Sequence, residues 1–383
     1  MRIDLVFPAL PPALDGIGDH TALLASALSA RDCGVRVLTA QEDWSPLPSV
    51  EVERAFHTRT RRDVLNFVDS VCAASPDWLL VQFEQFSYGR WGLNPFLPLA
   101  LRRLHSTSPG IRTAVMFHED YMPTTDLRSA IMGLWQKPQF WMLGRMADVA
   151  FFSTEPRAQR YDPQFPETSV HHLPVGSNIP DVGADRSRER ERLNVGPEDF
   201  VIGLFGSAHE SRLLSYVDAA VTACARDRSH TRVVYVGPDG QAVREALTAN
   251  VPVHDTGPLP PEDVSRRFAA MDLYLAPFRK GVSTRRGSFL TGIQHGVATA
   301  TTQGRATGTL LSSRHGEAFL APFCSSEDEF ATSVRRLARS PDTRDRLGER
   351  GQTFYHRHFS WPTVADRLLQ VFNATTSAPV ASQ

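Results

Sequence analysis

Between Pro277 and Ser288 the sequence reads PFRKGVSTRRGS, and this stretch concentrates chemistry-bearing residues. Lys280, Arg285 and Arg286 supply positive charge, Ser283, Thr284 and Ser288 supply hydroxyls, and Gly287 admits close backbone approach. Guanidinium groups match phosphate or carboxylate oxygens two at a time. An apolar run, Leu273 to Ala276, precedes the turn; a helix-like run ending at His295-Gly296 and a β-branched run, Val297 to Thr302, follow it. Strand, cationic glycine turn, helix, strand is an arrangement that presents amide N–H groups and positive charge to a phosphate. It is equally the grammar of a plain βαβ unit with a solvated basic loop, and this segment alone leaves both readings open.

Three other loops hold reactive side chains. LDGIGDH places Gly16, Gly18 and Asp19 where a strand gives way to a helix, so backbone can approach a ligand beside a helix N-terminus. The spacing is G-x-G without the third glycine of a dinucleotide fingerprint, which argues against NAD. His118, Glu119 and Asp120 follow the apolar run AVMF, and a histidine at a strand's carboxyl end can bond a sugar hydroxyl or move a proton. The third loop is GSAHESR, Gly206 to Arg212. Arg212 there stands before a helix, where a cation is unfavourable unless an anion is shared with it. No D-x-D, H-x-x-x-H or H-E-x-x-H occurs, so no protein-held metal is expected.

The elements that must position these loops read clearly. The 383 residues, 42% hydrophobic and 22% charged, suit a soluble protein of two or three domains. Apolar strand runs alternate with amphipathic helices, the pattern of parallel sheets covered on both faces. We expect an α/β chain of two Rossmann-like, doubly wound domains facing across a cleft. The N-terminal domain spans 1–178, a charged linker 179–198, the C-terminal domain 199–356, a closing helix 357–373 and a disordered tail 374–383. Helices are expected from Thr60 to Ala74, Ala130 to Arg145 and Trp361 to Phe372, among others. The linker run from Asp185 to Arg192 reads as a solvated face. Net charge is −1, which recruits no nucleic acid. Four scattered cysteines without a C-x-x-C pair fit a reducing, cytoplasmic setting. No apolar stretch is long enough to span a bilayer. The aromatic run GLWQKPQFWMLGRM could form a peripheral membrane patch, an acceptor-site wall or core.

Taken in order, these motifs resemble bacterial glycosyltransferase family 4, retaining sugar transferases with the GT-B fold. GIGDHTALLASAL is similar to the family's glycine loop and first helix. VQFEQFSYGRWGLNPFLPLALRRL with VMFHEDYMP is similar to a subset of its members. FGSAHESR, DTGPLPPEDVSRRFAAMDLYLAPF, GIQHGVATATT and FSWPTVADRLLQVF fall in the family's later order, the last as a helix that crosses back to the N-terminal domain.

The resemblance implies a nucleoside diphosphate sugar, UDP- or GDP-linked, as co-substrate, no further cofactor, and a small-molecule, glycan or lipid-linked acceptor. It places His118 at the transferred sugar and Arg212 at the diphosphate, and calls both catalytic. Gly18, Gly206, Ser207, Leu259, Lys280, Ser283, Thr284, Arg285, Arg286, Gly287 and Ser288 become donor-binding; Gly16, Asp19 and Glu119 become acceptor-binding. Ser207 stands where the family has arginine, and Ser283 and Thr291 stand where its two glutamates, spaced E-x7-E, would be. Arg285 and Arg286 are expected to compensate. Two other functions fit the same residues: an inactive nucleotide-sugar-binding or regulatory protein, and a sugar-nucleotide epimerase using His118 with Glu119.

Overall fold

The computed structural model describes residues 1–56, 61–228, 230–312, 318–322 and 326–377, with the side chains of 61 and 62 left aside. The chain forms two compact units, one of Met1–Pro174 joined by the segment from Trp361, the other Val175–Ser360.

The first unit runs β1 (Arg2–Val6), α1 (Gly16–Ser29), β2 (Gly34–Thr39), β3 (Glu51–Arg54), α2 (Arg61–Ala74), β4 (Trp78–Phe83), α3 (Phe96–Thr107), β5 (Arg112–Phe117), α4 (Leu127–Met146), β6 (Val149–Phe152), α5 (Glu155–Tyr161) and β7 (Ser169–His172). Its strands form one seven-stranded sheet, ordered β3-β2-β1-β4-β5-β6-β7, and every described pairing is parallel. All six residues of β4, WLLVQF, are buried, apolar but for Gln82, as a central strand covered on both faces requires. Strand β3, EVER, was not expected. It is a polar edge strand paired only with β2, so it carries no apolar run. The Thr60 start foreseen for α2 lies outside the described residues.

The second unit runs α6 (Arg186–Arg192), β8 (Phe200–Phe205), α7 (Leu214–Asp227), β9 (Thr231–Val236), α8 (Gly240–Ala246), β10 (Val253–Asp255), α9 (Pro261–Ala269), β11 (Leu273–Ala276), α10 (Gly287–Gln294), β12 (Thr299–Thr301), α11 (Glu327–Ala338) and α12 (Pro341–His358). Its sheet is parallel, ordered β10-β9-β8-β11-β12. Most of the charged run of 185–192 is exposed, as a solvated face would be, but two of its residues turn inward. Within α6, Glu189 is buried against Arg267, while Arg190 donates to the carbonyls of Ala270, Gly196 and Asp199 and pairs with Asp272. Burying such charges is tolerable because nearly every donor finds an acceptor.

Helix α13 (Trp361–Ser377) returns to the first unit. Phe372 stacks on Trp78 with ring centres 3.9 Å apart and the rings nearly parallel, Asp366 pairs with Arg31, and Arg112 donates to the Thr375 carbonyl. The helix therefore continues four residues into the expected tail of 374–383; residues 378–383 lie outside the described residues.

In each sheet the strand order reverses once, between β1 and β4 and between β8 and β11. Open α/β sheets bind ligands beyond the carboxyl ends of the strands at such switch points.

Candidate functional site

In the second unit, the loops after β8 and β11 are tied to each other at the switch point. Gly206 follows β8 with φ +91°, a backbone that only glycine takes without strain. Arg212 then forms an antiparallel bridge with Phe278, Leu213 donates to Pro277, and Arg279 donates back to Ser211. The Thr302 hydroxyl accepts from the Phe278 amide at 2.8 Å and donates to its carbonyl at 2.7 Å. The paired backbone thus carries Arg212 and Arg286 to one ring.

The guanidinium of Arg212 lies 5.7 Å from the centre of the Phe278 ring, and that of Arg286 lies 4.6 Å from the same ring. Arg212 is 7% exposed; one terminal nitrogen donates to the Phe205 carbonyl at 2.5 Å, while Nε and Nη1 have no partner. Among the described residues no carboxylate pairs with Arg212 or Arg286. Burial, then the charge of Arg212, pulls the affinity of Arg286 for its proton below the usual arginine range; burial, then Arg286, pulls Arg285 down to about 10. Arg286 also occupies the N-cap of α10, which has no side-chain cap, and the amides of Gly287 and Ser288 have no described acceptor. Two like charges, largely dry, beside open amides of a helix N-terminus make a site that lacks its counter-charge.

The other residues expected here are placed differently. Ser207 does not point to the arginines: its hydroxyl donates to Asp239 at 2.8 Å, and the Ala208 amide joins it at 2.7 Å. Those two bonds hold the Asp239 carboxyl below its ordinary range. Ser283 and Thr284 are buried, the Thr284 carbonyl accepting from Val175. Ser288 sits close to Gly206, 3.6 Å from where a Cβ would project. Thr291 is 1% exposed and bonds the Gly287 carbonyl and the Ser177 hydroxyl, so it serves the interior. Lys280 is exposed on the turn, apart from the Phe278 pair, and Leu259 is half-buried after β10.

In the first unit a second cluster forms after β1, β4 and β5. Asp15 caps α1, its carboxylate accepting from Ile17 and Gly18 at 2.8 and 3.0 Å. Gly18 packs so closely that an added Cβ would lie 2.8 Å from the Ala9 carbonyl oxygen. Gly16 opens the helix. Burial, then the Asp15 charge, pushes the Asp19 carboxyl up to about 6. His20 is wholly buried, neither ring nitrogen has a partner, and burial lowers it to about 3, so the ring is neutral. It meets His118 edge-to-face at 4.9 Å and Trp361 at 5.0 Å. His118 is 8% exposed, with Nε2 2.7 Å from Gln82 Oε1. Glu119 is turned to Arg157, which also pairs with Asp120 and donates to the His118 carbonyl.

Three parts of these clusters are missing from the sequence reading: Phe278 as the platform under both arginines, Arg157 as the clamp on Glu119, and the His20–Trp361 contact. Phe278 alone had a local signal, an aromatic directly before the basic turn. The other two join residues far apart in the chain. Among the described residues, no three His, Cys, Asp or Glu side chains gather as a metal site would need. No helix among them is long and apolar enough to cross a membrane.

Solved structures share this architecture. Sucrose-phosphate synthase from Thermosynechococcus elongatus superposes over 98% of this chain and 99% of its own with a TM-score of 0.68 at 16% identity. A glycosyltransferase from Rickettsia africae does so over 98% of both chains with a TM-score of 0.71 at 12% identity. Anabaena HepE, solved with UDP and glucose, covers 98% of this chain and 100% of its own with a TM-score of 0.66 at 15% identity. The chain therefore has the two-sheet α/β fold of GT-B glycosyltransferases. No protein-family model matches the sequence, and no curated protein matches it.

Proposed function

We propose that this protein is a glycosyltransferase that moves a sugar from a UDP- or GDP-linked donor to a small-molecule, glycan or lipid-linked acceptor, with retained anomeric configuration and without a metal, in the cytoplasm. One observation carries the reading: Arg212, buried, and Arg286, half-buried, converge on Phe278 without a carboxylate, beside open amides of α10. A diphosphate supplies the missing charge. HepE, with the same fold, was solved with UDP and glucose, which supports the donor class.

The chemistry follows from these groups. Arg212 and Arg286 hold the diphosphate and stabilise the charge that grows as the glycosidic bond to it breaks. Phe278 and the paired loops fix both cations beforehand, so little reorganisation is needed at reaction. The departing phosphate oxygen takes the acceptor's proton on the same face of the sugar, giving retention with no enzyme nucleophile. His118, fixed by Gln82 and His20, bonds the sugar; the turn carrying Gly16 and Asp19 receives the acceptor.

Arg212→Ala tests the role. Loss of one such donor should cost roughly 2.7–4 kcal/mol of barrier, about 10²–10³ in kcat. A fall in kcat below about threefold would reject it.

A second reading, a donor-binding protein without turnover, is favoured by one fact: Thr291 is buried and bonded internally where the resembled family has a glutamate. Donor binding with neither transfer nor hydrolysis, across acceptors, would establish it. The epimerase reading needs an acid/base pair from His118 and Glu119, and Glu119 is ion-paired with Arg157. Incubating donor alone and finding an epimer would restore that reading.

A further inference from the structure

The outer surface of the first unit carries an apolar, basic patch that neither the sheet edge nor the transferase reading uses. On α4, Leu127 and Leu134 are 77% and 74% exposed, and Ile131 lies between them at helical spacing, also exposed. Beside them Trp91 and Leu93, in the short turn after β4, are about half exposed. The turn is fastened to α4: Trp135 and Gln136 donate to the Trp91 carbonyl at 3.0 and 3.1 Å, and Gln139 donates to the Gly92 carbonyl at 2.7 Å.

Trp91 has φ +58°, a left-handed backbone that a bulky residue adopts only at a cost. The fold holds that strain and still leaves the indole facing out. Arg90 and Arg128 lie 5.7 and 5.6 Å from its ring centre, so cations flank the aromatic.

The charge is one-sided. From Leu127 to Met146 the helix carries Arg128, Lys137 and Arg145 and no acid; from Gln85 to His118 the chain again has no Asp or Glu. Asp126, at the start of α4, is engaged as its N-cap. In a chain of net charge −1 this is a strong local excess of positive charge. Exposed leucines and a tryptophan ringed by arginines match the boundary between acyl chains and anionic headgroups.

We propose that this face docks on an anionic lipid bilayer, Leu127, Ile131, Leu134 and Trp91 entering the headgroup boundary and Arg90 and Arg128 meeting phosphates. The inference does not rest on the transferase reading.

The test is flotation of the full chain with vesicles of phosphatidylcholine alone and of phosphatidylcholine with phosphatidylglycerol, at low and high salt, without donor. Binding is expected only to the anionic vesicles, weakened by salt. Each arginine removed should lower partition about fivefold, so Arg90→Gln with Arg128→Gln should lower it about twenty-five-fold. Leu127→Ser with Leu134→Ser, both exposed and so neutral to folding, should abolish flotation while leaving the melting temperature unchanged. No flotation with anionic vesicles overturns the proposal, as does equal flotation of the serine variant. Concentration-dependent dimers in sedimentation, removed by the serine pair and unaccompanied by flotation, would overturn it in favour of a second copy of this chain.

Discussion

Arg286→Met should make the ligand-free protein more stable and its complex with donor less stable, a pairing of signs that an ordinary structural arginine does not give. Both guanidinium centres lie within 6 Å of one ring centre, so they are no more than about 10 Å apart, which at an effective dielectric of about 20 gives at least about 1.6 kcal/mol of repulsion. Arg286 is partly exposed, so solvent screening leaves about 1 kcal/mol. Methionine keeps contact with Phe278 and removes the charge. The ligand-free melting temperature should then rise by about 2–4 °C for a unit of this size.

With donor the sign reverses. Losing a charge-assisted contact costs about 1.5–3 kcal/mol, weakening diphosphate binding roughly ten- to a hundredfold. At ligand one hundred times the parent's Kd, binding adds about 2.7 kcal/mol to the parent and only about 0.4–1.4 kcal/mol to the variant. Differential scanning fluorimetry with UDP and GDP reads both effects in one experiment. A variant less stable without ligand, yet shifted by UDP or GDP as much as the parent, would refute the frustrated-pair argument.

Further outcomes follow from the first unit. His20 is neutral and buried, with its proton affinity lowered to about 3 against about 6.5 in the unfolded chain. Below about 6.5 the unfolded state therefore binds the proton first, and stability falls with pH by about 2 kcal/mol between pH 6.5 and 5. Denaturation of the parent against His20→Leu at pH 7 and pH 5 should show that difference. Asp19, raised to about 6, acts with the opposite sign but is common to both proteins, so it cancels. An equal pH response in both would mean that His20 titrates normally. Phe372→Ala removes the ring stacked on Trp78 and should cost about 3–5 kcal/mol in urea denaturation; a loss below about 1 kcal/mol would show α13 to be loosely held. Gly18→Ala drives a methyl against the Ala9 carbonyl and should cost about 1–3 kcal/mol, with the melting temperature falling accordingly; no change would mean that the turn after β1 yields.

Most of the architecture was legible because a buried parallel strand must be a continuous apolar run. Phe200–Phe205, Thr231–Val236 and Leu273–Ala276 announce themselves in this way, and the alternation with helices then dictates two doubly wound sheets. Strand β3 escaped because an edge strand needs no such run. Within the exposed run at 185–192, the inward turn of Glu189 and Arg190 is invisible in the sequence, which shows charges but not their partners: Asp272 and the Ala270 carbonyl lie dozens of residues away from Arg190.

The residue types determined that positive charge gathers after β8 and β11, since arginines beside glycines at strand ends have few roles in a core. Which arginines count was decided only by the tertiary structure. Side-chain direction depends on the paired loops: Arg212 and Arg286 share Phe278 because Thr302 and the 211–213 backbone clamp that ring, while Lys280, in the same turn, is left in solvent. The same holds for His20, whose neutrality follows from burial by His118 and Trp361, more than 90 and 340 residues distant. Local sequence fixes propensity and pattern; desolvation and charge coupling arise only when remote segments exclude water together.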